Sequence, residues 1–289
     1  MNSISIKAYG KINLSLDVVG KRPDGYHNVA MIMQTVDICD TLTMSIRDDE
    51  KINITTDLEG LTCGEDNLVY KAIAMLREEF GITKGVDVHL EKKIPMAAGM
   101  AGGSADCAAA FKGMNALFDL GLDDKALMER GVKLGADVPY CVVGGTALCE
   151  GIGEVITPLK PLTKGHLVVV TPDVNVSTPW VYKNLVLNDE TIHPDTELML
   201  KAVEDGDIKL LAENMYNVLE TVTKPAHEVI GDLEKIMMDG GALGSIMSGS
   251  GPTVFGIFDD ESKAEVVCAK IKSDGQCRSC YVTSFARGY

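Results

Sequence analysis

Neither Gly-Lys pair in this sequence is followed by serine or threonine: Gly10-Lys11 runs into Ile12, and Gly20-Lys21 into Arg22. The common lysine-bearing phosphate loop is therefore absent. No Gly-x-Gly-x-x-Gly occurs either, so a Rossmann site lacks its fingerprint. Positive charge is scarce. Lys and Arg number 27 against 42 Asp and Glu, a formal net charge of -15, which disfavours nucleic acid or an anionic membrane as partner. A nucleotide is still admissible, because it arrives with a metal ion and needs only a local basic site. There is no signal-like apolar core at the start and no apolar run long enough to cross a bilayer, so a cytoplasmic address is expected.

The five histidines form no H-x-x-x-H, which closes the zinc-hydrolase reading. The eight cysteines are too sparse over 289 residues for a disulfide scaffold. Cys277 and Cys280 form a single C-x-x-C with no second pair or histidine pair nearby, and are expected as two reduced thiols in or beside a strand.

What the sequence does contain is centred on residues 94–111. Val86, Val88 and Leu90 alternate with Asp87, His89 and Glu91, which predicts a strand. The small-residue stretch Pro95-Met96-Ala97-Ala98-Gly99-Met100-Ala101-Gly102-Gly103-Ser104-Ala105 follows. Cys107, Ala110, Phe111, Met114, Leu117 and Phe118 then share one helical face. A loop that empties into a helix N-terminus offers free N–H groups and a positive dipole to an anion, with Ser104 as cap or hydroxyl donor. On these residues alone, an anion cradle and a close-packing device are both open.

The remaining pattern predicts one or two strands over 3–19, strands over 29–36, 40–47 and 52–56, and a helix over 68–80 capped by Asn67 and ended by Gly81. A short helix to about 134, a strand over 142–150 broken by Gly144-Gly145, and a proline-bearing boundary over 158–165 follow. Beyond it come a strand over 166–171, a helix opened by Thr178-Pro179, and helices over 195–204, 207–219 and 225–238. Strands over 242–248 and 253–258, a helix over 261–272 and a strand over 278–284 close the chain. This is an α+β organisation in two units, 1–160 and 161–289.

Four further stretches carry chemistry. Lys11 alternates with apolar neighbours, so its ammonium either snorkels outward or points into a site. Arg22-Pro23-Asp24-Gly25-Tyr26-His27 is a rigid turn bearing an aromatic and an imidazole. Gly135-Ala136-Asp137-Val138-Pro139 wedges an acid among small and apolar residues. Ser248-Gly249-Ser250-Gly251-Pro252 is a second glycine loop.

In this order the stretches resemble the GHMP kinase superfamily, whose P-x-x-x-G-x-x-x-S-type loop is matched by Pro95, Gly99, Gly103 and Ser104. The stretches at 8–14, 20–27, 95–106, 134–139 and 248–252 narrow the resemblance to the branch acting on a cytidine diphosphate-linked methylerythritol. Met100 stands where leucine is usual and Cys107 where alanine is, while residues 185–208 match poorly. The resemblance implies a two-domain fold, with an N-terminal ribosomal-protein-S5-domain-2-like layer and a C-terminal ferredoxin-like layer. It implies ATP and Mg²⁺ as cofactors, with metal ligands unassigned, and Lys11 with Asp137 as the catalytic pair. The loop from Pro95 to Ala105 would cradle the triphosphate. Asn13, Tyr26, His27 and Tyr182 would bind the substrate, Tyr26 and Tyr182 by stacking on its base. The expected partner is that small molecule, with neither nucleic acid nor membrane, acting on a monomer or weak homodimer.

Overall fold

The computed structural model describes residues 2–275 and 277–288. Two long antiparallel strands, β1 (Ser3–Lys21) and β2 (His27–Arg47), form its spine. The two strands expected within 29–47 are one. The pairing slips between Tyr9 and Lys11, between Asn13 and Ser15, and between Val18 and Gly20, without either strand ending. Such bulges bend a strand and re-aim its side chains.

β3 (Ile52–Thr56), α1 (Leu68–Phe80) and β4 (Gly85–Glu91) follow. The ends of α1 are as its sequence predicts. Asn67 accepts from the Val69 N–H, and Gly81 closes the helix at φ 62°. α2 (Gly102–Phe118) buries Cys107, Phe111 and Met114 completely, and full burial of a side chain such as Phe111 stabilises by roughly 1.5–3 kcal/mol. Its N-cap is Ala101, with no side-chain cap, so Ser104 lies in the first turn and does not cap the helix.

α3 (Asp124–Gly131), α4 (Val138–Val143), β5 (Thr146–Gly151) and β6 (Val155–Pro158) complete the first half. The strand expected over 142–150 starts only at Thr146. Pro139, near the first position of α4, suits a helix start, and Gly144 and Gly145 at φ 69° and 77° separate helix from strand.

The second half contains β7 (His166–Pro172), α5 (Thr178–Asn184), α6 (Thr196–Asp205), α7 (Ile208–Glu213), β8 (Tyr216–Asn217), α8 (Glu220–Ala226), α9 (Val229–Asp239), β9 (Gly244–Met247), β10 (Val254–Phe258), α10 (Glu261–Ser273) and β11 (Cys277–Ser284). The helix expected over 207–219 ends at Glu213, and β8 follows. The helix expected over 225–238 begins at Val229, because Pro225 belongs to the end of α8.

Among the described residues there are two sheets. One has the order β3-β4-β2-β1-β8, with β5 paired to β2 and β6 to β5; the other has the order β11-β7-β10-β9. β8 lies parallel to β1, pairing Ser15 with Tyr216 and Leu16 with Asn217. The second half of the chain thus adds a strand to the first sheet, at Ser15 and Leu16 of β1, two residues beyond Asn13. All eight cysteines are free; Cys277 and Cys280 both lie in β11.

Candidate active site

At the first slip in β1, the Lys11 N–H donates to the Met100 carbonyl at 3.1 Å, tying the strand to the small-residue loop. The Lys11 side chain is 4 % exposed, so it does not snorkel outward. Its ammonium donates to Asn13 Oδ1 at 2.7 Å and to the Gly99 carbonyl at 3.1 Å, and stands 3.8 Å from Asp137 Oδ2. Asp137 occupies the N-cap of α4 but makes no side-chain cap bond, which leaves its carboxylate to Lys11 and the solvent. Asn13 is fully buried, with its amide against Met31 Sδ at 3.4 Å.

The loop bends through left-handed backbone at alternate residues: Ala97 at φ 51°, Gly99 at 74° and Ala101 at 54°. An alanine there costs about 1–2 kcal/mol, a strain that persists only where packing enforces it and that clusters at functional sites. Successive N–H groups in such a turn make an anion-binding concavity. The uncapped first turn of α2 continues it, with the helix dipole behind. The second glycine loop packs directly on the first: a Cβ on Gly99 would lie 2.2 Å from the Ser248 carbonyl oxygen. Only glycine permits this approach at this φ.

These parts line a cavity of ≈ 930 Å³. Lys11, Asn13, Asp137, Tyr26, His27 and Tyr182 all face it, as do Ala97, Ala98, Gly99, Ala101, Gly102, Gly103 and Ser104. Pro95 and Met96 are absent from its lining, and Met100 and Ala105 are buried in the core. Tyr26 stands 59 % exposed at the rim. The aromatic pair that forms is His27 with Tyr182, whose centroids lie 5.2 Å apart at 32°. Burial, helped by the charge of Lys21, holds His27 below its ordinary pKa, so the ring is neutral at physiological pH. Burial and then Asp137 push the Tyr182 hydroxyl up to about 12. Burial likewise raises the Cys149 thiol to about 12 and holds that of Cys141 well above its ordinary value, leaving both poor nucleophiles.

Sequence reasoning missed three features. The Lys92 side chain is buried between Asp40 and Asp106, 2.7 Å from Asp106 Oδ2, while Asp40 Oδ1 accepts from the backbone N–H groups of Lys93 and Ile94. This triad clamps the entry of the loop to α2. Burial, with Lys92 opposing, raises the Asp106 carboxyl to about 7. Asp40 shares the buried face of Ile38, Leu42 and Met44, and an acid in that register was the available signal. The other two are the cavity-facing cation Lys183, and the roles of Lys21 and Ser248, whose stretches the sequence marked without assigning them a function; Lys21 faces the cavity and Ser248 hydrogen-bonds the loop.

Comparison with known proteins agrees with this architecture. Residues 67–145 match the model of the GHMP kinases N terminal domain, and residues 199–277 that of the GHMP kinases C terminal. A 4-diphosphocytidyl-2-C-methyl-D-erythritol kinase of Acetivibrio thermocellus is 49% identical over 98% of this chain and 99% of its own. The protein of that name from Lachnospira eligens is 47% identical over 98% of both. A crystal structure of 4-(cytidine 5'-diphospho)-2C-methyl-D-erythritol kinase superposes with a TM-score of 0.82 at 29% identity, covering 98% of this chain and 99% of that one. The chain belongs to the GHMP kinases and, within them, to the family of 4-diphosphocytidyl-2-C-methyl-D-erythritol kinases.

Proposed function

We propose that the protein transfers the terminal phosphoryl group of ATP to the 2-hydroxyl of 4-diphosphocytidyl-2-C-methyl-D-erythritol, a step of the non-mevalonate route to isoprenoids, with Lys11 and Asp137 as the catalytic pair. The observation that carries this reading is a buried ammonium held against oxygen acceptors at the wall of a cavity that also contains a left-handed N–H loop.

An alcohol is a poor nucleophile at neutral pH, so a base or an electrostatic aid is required. Asp137 is the carboxylate of that cavity nearest the Lys11 ammonium, 3.8 Å away. It accepts or orients the hydroxyl proton. Lys11 opposes charge building on the transferred group from a site largely closed to water. Its two hydrogen bonds fix the ammonium before substrate enters, so little reorganisation remains for the transition state. Residues 97–99 and 101–104 cradle the phosphates through backbone N–H groups and the α2 dipole, with Met100 and Ala105 packed in the core behind them and Pro95 and Met96 leading into the loop.

Mg²⁺ fits this donor set as an ion carried in by the nucleotide. Among the described residues no three His, Cys, Asp or Glu side chains form a cage, and this ion usually takes one or two protein oxygens plus phosphate and water. The Ser104 hydroxyl and the Asp137 carboxylate are the protein oxygens in the cavity suited to it. When bound, it neutralises part of the phosphate charge.

Tyr26, His27 and Tyr182 form the base-recognition corner. His27, neutral, presents one donor and one acceptor to a cytosine edge, while the rim ring of Tyr26 and the inner ring of Tyr182 supply flat faces. Asn13 binds near the acceptor hydroxyl. No described helix is long and apolar enough to cross a membrane. A cytoplasmic address and a monomeric or weakly dimeric state are part of the proposal. The test is coupled ADP release with the cytidyl alcohol beside mevalonate and homoserine. A preference of about 10²-fold or more in kcat/KM for the cytidyl alcohol supports the reading. Faster turnover of either other alcohol, or nucleotide binding without ADP release, overturns it.

A further inference from the structure

The second glycine loop, residues 248–252, takes no part in the reaction as described, yet its first residue reaches the middle of the site. Ser248 is fully buried. Its hydroxyl donates to the Gly99 carbonyl at 2.9 Å, accepts the Asn13 N–H at 3.2 Å, and lies 3.5 Å from Asn13 Oδ1. Gly99 O and Asn13 Oδ1 are the two oxygens to which the Lys11 ammonium donates, at 3.1 and 2.7 Å. One hydroxyl from the C-terminal half of the chain therefore holds one acceptor of the lysine directly, the Gly99 carbonyl, and the backbone of Asn13, which carries the other.

Ser248 is itself rigidly seated. Its N–H donates to Thr253 O at 2.8 Å, and its carbonyl accepts the Gly251 N–H at 3.0 Å. On either side, Asn217 Nδ2 donates to the carbonyls of Met247 and Gly249, both at 2.8 Å, while Asn217 Oδ1 accepts the Leu219 N–H. Asn217 belongs to β8, the short strand that the second half adds beside β1. Asn217 of β8 thus brackets Ser248 through its two chain neighbours, and Ser248 in turn bonds Gly99 and Asn13, the residues that hold Lys11.

We infer that Ser248 is a positioning residue for Lys11: it fixes the Gly99 carbonyl and Asn13, and through them the direction of the ammonium toward Asp137 and the transferred group. The inference rests on the reading of Lys11 as catalytic. The physical case is one of degeneracy. A lysine side chain has many rotamers, and its three N–H groups rotate freely. Two are committed here to acceptors on residues that Ser248 bonds, the Gly99 carbonyl directly and Asn13 through its N–H, which leaves the third for the side facing Asp137. Without the hydroxyl, Gly99 sits in a left-handed turn with its carbonyl tied only to the lysine it is meant to orient.

The test measures kcat and KM with whichever alcohol the unaltered enzyme phosphorylates fastest, so it runs even if the cytidyl alcohol is not the substrate. In that event the substrate assignment fails by itself. Ser248→Ala is expected to lower kcat about tenfold or more while moving KM for the alcohol by no more than about twofold. In a Lys11→Ala background, the same change is expected to cost less than about twofold, because the group being positioned is gone. Ser248→Cys keeps the volume but donates weakly, and it is expected to show the same kcat loss should the alanine variant fold poorly. Thr253→Val removes a buried hydroxyl from the same segment, one bonded to Thr171 at 2.8 Å rather than to Gly99 or Asn13, and leaves the backbone carbonyl that seats Ser248. It is expected to lower Tm while leaving kcat within about twofold of the unaltered value. Unchanged kcat in both Ser248 variants, or an equal loss with and without Lys11, overturns the inference.

Discussion

Gly99→Ala is the sharpest perturbation of the site. The residue sits at φ 74°, and a Cβ there would lie 2.2 Å from Ser248 O and 3.3 Å from Gly251 O. Real Cβ contacts need a little over 3 Å, so one backbone must move by about 1 Å against the other. Neither can swing aside as a side chain would, because both are main chain. The left-handed conformation adds about 1–2 kcal/mol for an alanine, offset by roughly 0.4–1 kcal/mol from its stiffer unfolded chain. Local strain alone is thus a small net destabilisation, and displacement of the loops is the larger effect. A misplacement of about 1 Å in a catalytic arrangement costs on the order of 10² in rate. The assay pairs kcat from coupled ADP release with Tm, using Gly121→Ala as control. Gly121 has φ 68° and nothing within 4 Å of the added carbon, so that variant carries the strain without the clash. Gly99→Ala should lose about 10²-fold in kcat and Gly121→Ala less than about twofold. Equal kcat in the two variants would refute the idea that contact between the two glycine loops sets the site.

Lys11→Ala and Asp137→Ala should each lower kcat by about 10²-fold or more with the fold intact; near-normal activity in either, checked beside circular dichroism, removes the proposed roles. Tyr26→Ala should raise KM for the cytidyl alcohol far more than KM for ATP, and equal effects on both would argue against base stacking at the rim. Because burial and Lys21 hold His27 neutral, KM for the cytidyl alcohol should rise as pH falls below His27's depressed pKa. Lys21→Met should move that rise to higher pH, and His27→Gln should abolish it. Asp106 has a folded pKa near 7 against an ordinary value of 3.8, so its contribution to stability is greatest in acid and is lost as pH rises through 7. Tm of the unaltered protein relative to Asp106→Asn should therefore fall between pH 5 and pH 8; a constant difference would contradict a raised carboxyl pKa.

Much of the fold was legible where the signal is local. The cap and glycine stop of α1, the alternation of β3 and β4, and the apolar face of α2 are properties of a few neighbouring residues, and the structure reproduces them. Failures occur where partners elsewhere in the chain decide. β8 is two residues long, too short for any period, and exists because β1 offers an edge. The run 142–150 reads as a strand broken at Gly144-Gly145, but its first residues close a helix that Pro139 helps to start, and the paired glycines separate α4 from β5. β2 changes phase where its pairing slips, which imitates a strand end. The site divides in the same way. The loop, Lys11, Asp137 and the Tyr26-His27 turn have compact sequence patterns. Pairings that act across 50 to 235 positions, such as Lys92 with Asp40 or Ser248 with Asn13, are not written in either partner's neighbourhood: Asp40 shows only as an acid in a buried register and Ser248 only as the start of a glycine loop, because their chemistry depends on tertiary contact.

The central claim is that the cavity moves phosphate onto one alcohol of a cytidyl substrate. Phosphorus NMR of a reaction containing ATP, Mg²⁺ and 4-diphosphocytidyl-2-C-methyl-D-erythritol tests it directly. The account predicts one new phosphomonoester resonance growing in step with ADP, with the cytidyl diphosphate signals retained and the new ester on the tertiary carbon. ADP accompanied only by inorganic phosphate, or an ester on a different hydroxyl, would contradict it.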